Sequence, residues 1–71
     1  MAYKYSIEGL VGGSINTIIS YVEQAMRECR YSEEQIKSYK KKATGGRYYD
    51  AVLTSRSQIQ EVNNKVIIDN V

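Results

Sequence analysis

The fold is decided by residues 14–29, which read SINTIISYVEQAMREC. That stretch predicts an α-helix with one apolar face, because its apolar side chains recur every three or four residues. Ser14 is a residue type that caps helix N-termini. We expect a helix over residues 14–30 whose apolar stripe either lies in the core or is shared with a second copy of the chain. The stripe consists of Ile15, Ile18, Ile19, Val22 and Met26.

A second helix is expected over residues 32–44. Ser32 and Gln35 have the spacing of a capping box, in which each side chain satisfies a backbone N–H that the helix leaves unpaired. Gly45 and Gly46 follow, and glycine accepts the left-handed conformation that is needed just past a helix end. Tyr31 precedes the capping serine, where we expect it to pack onto the start of the helix.

A third helical stretch is expected over residues 47–66. The polar run TSRS at residues 54–57 interrupts its apolar spacing, and Ser57 with Gln60 has the spacing of another capping box. This stretch is therefore either one bent helix or two helices. The tail that follows, VIIDNV at residues 66–71, is apolar. It is expected to pack on the core, to pair with the first segment, or to contact another copy.

Residues 1–13 are expected to form a short arm. Tyr3, Tyr5 and Ile7 alternate with polar residues in the manner of a strand. The whole chain of 71 residues has the length of one domain. We therefore predict an all-α fold over residues 1–71: a small bundle of three helices, or four if the third is broken, with an arm that is a strand or a loop.

The predicted core is small for a free-standing domain. The free energy gained by burying so few apolar side chains barely exceeds the entropic cost of ordering the chain. We therefore expect a homo-oligomer. The predicted core residues are Ile15, Ile18, Ile19, Val22, Met26, Ile36, Val52, Leu53, Ile59, Val62 and Val66.

Composition argues against an enzyme. The sequence contains no histidine, the side chain best suited to proton transfer near neutral pH. Its single cysteine, Cys29, can form neither an intramolecular disulfide nor a zinc site, which favours a reducing cytoplasm. No apolar run has the length of a membrane span, and the start lacks the pattern of a signal peptide. We expect no catalytic residue, no metal, no cofactor and no membrane partner.

A basic segment is the most informative feature for function. Residues 36–49 carry five basic and no acidic side chains, and they include two glycines and two adjacent tyrosines. Lysine, arginine and a tyrosine face together suit a phosphorylated planar ligand or an acidic surface. The same residues also suit a plain helix end with a glycine cap and core tyrosines. The predicted binding residues are Lys40, Lys41, Lys42, Thr44, Arg47, Tyr48, Tyr49 and Arg56.

Residues 31–63 also carry a resemblance. Their motifs YSEEQI, KKATGGRYY and SQIQEVN are similar to those of small helical open reading frames of bacteriophages and prophages. Arg47 stands where the turn of such proteins more often has an acid, which reverses the charge at the turn. The resemblance implies a non-enzymatic protein that binds a host enzyme, a defence complex or an immune signalling nucleotide.

The sequence therefore leaves three expected functions, from the most to the least favoured. The first is a phage-type protein that inhibits a host factor of antiviral defence in the host cytoplasm, through the basic tyrosine-bearing surface. The second is a sponge that sequesters a cyclic or other phosphorylated nucleotide messenger. The third is a small DNA-binding repressor, which is less favoured because the third helical stretch offers few side chains to contact bases.

Overall fold

The computed structural model describes residues 5–69, with side chains described for residues 5–66. A short 3-10 helix, Glu8–Leu10, precedes three α-helices: α1 (Ile15–Glu28), α2 (Glu33–Thr44) and α3 (Tyr48–Asp69). All three α-helices pack against one another. The predicted helical bundle is confirmed, and residues 5–69 contain no strand.

The first helix begins and ends as its local sequence dictates. The Ser14 hydroxyl accepts a hydrogen bond from the Asn16 N–H at 3.2 Å, which confirms the predicted N-cap. At the other end, the Tyr31 N–H donates to the Met26 carbonyl at 3.0 Å. This bond closes a Schellman motif, in which Arg30 takes the left-handed conformation with φ 65°.

The second helix carries the predicted capping box. The Ser32 hydroxyl accepts from the Gln35 N–H at 3.1 Å, and the Gln35 side chain accepts from the Ser32 N–H at 2.9 Å. The helix ends at Thr44, as predicted. The predicted left-handed conformation of the following glycine is wrong, because Gly45 has φ −87°. Gly46 leaves room for the Asp50 side chain, because a Cβ at position 46 would lie 3.0 Å from a carboxylate oxygen of Asp50.

The third helix is continuous, so the alternative of two helices is wrong. Asp50 supports its first turn, where the side chain accepts from the Arg47 N–H at 3.2 Å. Ser55, in the middle of the polar run, is fully buried and hydrogen-bonded to Tyr39 at 2.6 Å. A satisfied hydroxyl is tolerated inside a core, which explains why the polar run does not break the helix.

The core follows most of the predicted stripes. Ile15 and Val66 are partly buried against it, whereas Leu53 is exposed and its assignment to the core is wrong. Val52 already faces the core, and the next residue of a helix points about 100° away. The confirmed core residues are Ile18, Ile19, Val22, Met26, Ile36, Val52, Ile59 and Val62, and further core residues that the predicted set did not contain include Tyr5, Ile7, Tyr39, Ala43 and Ala51.

The arm completes the core. Tyr5 and Ile7 are buried, and the Tyr5 ring meets Tyr21 edge to face with centroids 6.4 Å apart. The Tyr21 hydroxyl accepts from the Ser6 N–H at 3.1 Å. The described part of the arm therefore packs as a loop and a 3-10 helix, while residues 1–4 of the expected strand lie outside the described residues.

The stripe of α1 is occupied within one copy of the chain. Ile18, Ile19, Val22 and Met26 all contact the intramolecular core, so they leave almost no surface for a neighbouring copy. The homo-oligomer stays a prediction, and a contact between copies would need another face. Of the tail, Val66 packs on the core and α3 runs through Asp69, while residues 70–71 lie outside the described part.

Candidate functional site

The four predicted binding residues of α2 divide between two grooves, with Lys40, Lys41 and Thr44 on one and Lys42 on the other. The Lys40 ammonium lies 3.2 Å from a carboxylate oxygen of Glu23 on α1. Lys41 lines a groove between α1 and α2, whereas Lys42 lines the groove between α2 and α3. The Thr44 hydroxyl donates to the Lys40 carbonyl at 2.8 Å, which satisfies the helix end.

Three predicted residues lie together at the start of α3. Arg47 is exposed and forms no ion pair within residues 5–69. The Tyr48 hydroxyl accepts a hydrogen bond from the Gly12 N–H at 2.7 Å, which ties the end of the arm to α3. Tyr49 keeps 67% of its surface exposed.

Arg56 does not join that group. Its guanidinium grips both carboxylate oxygens of Glu8, at 2.7 and 2.8 Å. Nine residues of helix separate it from Arg47, a rise of roughly 13 Å. The Arg56 hydrogen bonds lower the pKa of the Glu8 carboxyl, and Glu8 in turn raises the pKa of Arg56. Arg56 is therefore paired with Glu8 away from the start of α3, and its assignment to the basic cluster stays a prediction.

The structure adds two exposed apolar side chains, Leu53 and Val11, to the predicted Arg47, Tyr48 and Tyr49. Leu53 follows Tyr49 by one helical turn and is 42% exposed, as is Tyr48. Val11, which precedes the glycine bonded to Tyr48, is 40% exposed. We call these residues, together with Arg47, the tyrosine face: Val11, Arg47, Tyr48, Tyr49 and Leu53. Among the described residues, the four large apolar side chains of this face are the exposed ones.

The groove between α1 and α2 is bridged by ion pairs. Arg27 contacts both Glu23, at 2.8 Å, and Glu33, while Lys40 also reaches Glu23. The hydrogen bond from Arg27, with a further one from Lys40, lowers the pKa of the Glu23 carboxyl. The carboxylates that line this 470 Å³ groove are thus already paired within the chain.

The groove between α2 and α3 is the larger one, with a volume of about 610 Å³. Its floor includes the Tyr39 ring, whose buried hydroxyl meets Ser55 at 2.6 Å. Burial raises the pKa of Tyr39, and the Ser55 hydrogen bond partly opposes this effect. At one end the Tyr31 hydroxyl donates to Glu61 at 3.4 Å. Burial and the Glu61 charge raise the pKa of Tyr31 to about 12.

Within residues 5–69, no group of three histidine, cysteine, aspartate or glutamate side chains is arranged to hold a metal ion. None of the helices in that range combines the length and the apolar character that crossing a membrane requires.

The chain was compared with protein-family models, with curated proteins and with solved structures, and none of the three comparisons gives a match. Its own geometry therefore carries the functional argument.

Proposed function

We propose that this chain is a small non-enzymatic binding protein that docks on an acidic protein surface through its tyrosine face. In this proposal it acts as the phage proteins that it resembles do, by occupying and inhibiting a host factor, such as a component of antiviral defence. One observation carries the proposal: the large apolar side chains that are exposed among the described residues occur beside the exposed Arg47 at the start of α3 and at Val11, whose neighbour Gly12 is hydrogen-bonded to Tyr48.

The composition of the tyrosine face supports a protein partner. Tyrosine and arginine are enriched among the residues that dominate binding energy at protein interfaces. Tyr49 and Leu53 offer apolar area on the same side of α3. Exposed apolar residues that occur singly need no explanation, but a group of them at one end of a small domain is typical of an interaction site.

Charge supports an acidic partner. Arg47 is exposed and forms no intramolecular ion pair among residues 5–69. A guanidinium that is free of intramolecular partners can bind a carboxylate in two places without first breaking a bond. Complementary charge would also accelerate association at low ionic strength.

The nucleotide-sponge alternative has less support within one copy. The basic residues assigned to its pocket lie on different sides of the bundle: Lys40 is paired with Glu23, Arg56 with Glu8, and Lys42 faces a groove that it shares with Glu34 and Glu61. A phosphate ligand needs converging donors. Of the assigned residues, Lys40, Lys41 and Thr44 share one groove, where Lys40 is already paired with Glu23, and the others lie elsewhere.

The test begins with a photo-crosslinking amino acid in place of Tyr49. The chain is expressed in its bacterial host, irradiated, and the crosslinked protein is identified by mass spectrometry. We expect a discrete partner whose crosslinked segment is acidic, and no such product from a matched probe at the exposed Ser20 of α1.

Calorimetry with the purified partner then measures the contribution of each side chain. Arg47→Glu and Tyr49→Ala should each weaken binding by about tenfold or more, as expected at the centre of an interface. Lys37→Glu removes a positive charge on the α1–α2 side and should change affinity by less than about twofold. Equal losses in all three variants would contradict the proposal. Saturable binding of a nucleotide that Arg47→Glu abolishes would favour the sponge instead.

A further inference from the structure

The three sides of the helical bundle are closed to different degrees. The arm packs between α1 and α3, where Ile7 is buried and Tyr5 contacts side chains of both helices. Ion pairs bridge the side between α1 and α2. The side between α2 and α3 has neither an arm nor a bridging ion pair within the described residues. This side carries the larger of the two grooves between helices, with a volume of about 610 Å³ against 470 Å³ for the α1–α2 groove.

The lining of the α2–α3 groove is polar along its walls. Hydroxyl and amide side chains from both helices alternate there, above a floor of Met26 and Tyr39. The wall residues are Gln35, Ser38, Thr54, Ser57 and Gln58. Side chains of this kind both donate and accept hydrogen bonds. Gln35 and Gln58 each already make one such bond, with the Ser32 N–H and with Glu61, so the hydroxyls of the wall are its main partners for unpaired N–H and C=O groups.

An extended segment fits this lining better than a helix does. A helix satisfies its own backbone and binds grooves through apolar anchors, which these walls do not provide. An extended chain presents unpaired backbone groups along its whole length, and amide and hydroxyl walls can satisfy them. The volume also lies in the range of about 300–1,000 Å³ that is typical of ligand clefts.

The charges of the groove lie at its two ends. Lys42 lies near the C-terminal end of α2, and Glu34 lies eight residues earlier on the same helix, a rise of about 12 Å. Glu61 of α3 joins the acidic end, where it accepts the Tyr31 hydroxyl. None of these three charged groups forms an ion pair within residues 5–69.

We propose that the α2–α3 groove binds an extended peptide segment with a basic side chain over Glu34 and Glu61 and an acidic side chain over Lys42. In an extended chain, residues i and i+4 point to the same side and lie about 13 Å apart, which is close to the rise of about 12 Å between Glu34 and Lys42 along α2. Residue i+2 also points to that side, over the floor. The segment belongs to a protein partner and is distinct from whatever contacts the tyrosine face.

The probes are short capped peptides titrated into the isotopically labelled full chain and followed by two-dimensional NMR. The matching probe is acetyl-Arg-Ser-Ala-Ser-Glu-amide. Two comparison probes are the dibasic peptide that ends in arginine and the tripeptide Arg-Ser-Glu, in which the charges are too close. We expect the matching probe to shift amides of the groove, chiefly Ser38, Thr54 and Ser57, and to bind about threefold to fivefold more tightly than either comparison probe.

Lys42→Glu supplies a gain of binding that an unfolded variant cannot mimic. The substitution makes both ends of the groove acidic, so the preference should change from the matching peptide to the dibasic peptide by about the same factor. Lys37→Glu is the matched control, because this lysine lies on the same helix but lines the α1–α2 groove. It should leave the preference of the groove unchanged.

Three outcomes would overturn the groove proposal: no shifts at millimolar peptide, shifts that lie outside the groove, or the same change of preference in Lys37→Glu as in Lys42→Glu. The result is independent of the tyrosine face. Tyr49→Ala should leave peptide binding intact, and loss of the partner's docking in Tyr49→Ala would not change the result for the groove.

Discussion

The carboxamide of Asn63 grips both backbone groups of Tyr5. Its Oδ1 accepts from the Tyr5 N–H at 3.0 Å, and its Nδ2 donates to the Tyr5 carbonyl at 2.9 Å. Both bonds are buried and join residues that are 58 positions apart. This pair, reinforced by the Tyr5 hydroxyl on Glu28 at 2.6 Å, anchors the arm to the bundle.

Asn63→Ala should lower the free energy of unfolding by about 2–3 kcal/mol, because two buried backbone groups lose their partners. Urea denaturation followed by circular dichroism measures this loss. Asn64→Ala is the matched control at the exposed neighbouring position and should change stability by less than about 0.5 kcal/mol. Similar effects in the two variants would show that the arm does not depend on this contact.

The hydrogen bond between Tyr39 and Ser55 gives a second prediction. Ser55→Ala leaves the buried Tyr39 hydroxyl without its partner and should cost about 1–3 kcal/mol. Adding Tyr39→Phe removes the orphaned hydroxyl as well. The double variant should therefore be less destabilised than the two single variants predict together. Strict additivity in urea denaturation would contradict coupling across the helices.

Leu53 tests the corrected core. Because its side chain is exposed, Leu53→Ala should change the free energy of unfolding by less than about 0.5 kcal/mol. Ile59→Ala, six residues further along α3 and buried, should cost about 2–5 kcal/mol through lost burial and a cavity. Thermal and urea denaturation measure both variants. A large loss for Leu53→Ala would mean that the residue is covered, as in an oligomer.

Arg30 offers a stabilising substitution. Its φ of 65° lies in the left-handed region, where a residue with a Cβ pays about 1 kcal/mol and glycine does not. Arg30→Gly should therefore raise the free energy of unfolding by about 0.5–1 kcal/mol. Arg30→Ala separates the backbone effect from loss of the side chain, and it should not stabilise. Equal stability of the two variants would refute the backbone explanation.

The raised pKa of Tyr31 predicts a loss of stability in alkali. Its pKa is raised to about 12 in the folded chain by burial and by Glu61, whereas an unfolded tyrosine titrates near pH 10. The folded state holds the proton more tightly, so this contribution is complete below about pH 10 and decreases as the pH rises toward 12. Urea denaturation between pH 8 and 11 should show a smaller decline for Tyr31→Phe than for the wild type. The same decline in both would contradict it.

Local signals predicted most of the helices. The Ser14 cap and the capping box of Ser32 and Gln35 depend on groups within three residues of each other, so their residue types suffice. The apolar stripe of α1 needed only the helical period. The sequence did not predict that α3 continues beyond residue 66 to Asp69, nor the conformation of Gly45. Neighbouring elements influence where a helix stops.

The candidate site was only partly accessible from the pattern. The sequence pattern assigned Lys40, Lys42 and Arg56 to one binding surface, yet they lie on different sides of the bundle. Lys40 is paired with an acidic side chain of α1, and Arg56 with one of the arm. The sequence also did not predict that Leu53 is exposed. An apolar residue at the edge of a helical stripe occurs both in cores and on surfaces, so its type does not distinguish the two.

The sequence by itself determined the helices, their caps and the apolar stripes, because these arise from interactions between residues a turn apart. Only the tertiary structure decided which charges are already paired, that Asn63 clamps Tyr5, and which side of the bundle stays open. The physical reason is that such contacts join residues far apart in the chain, whose meeting depends on how every helix packs at once.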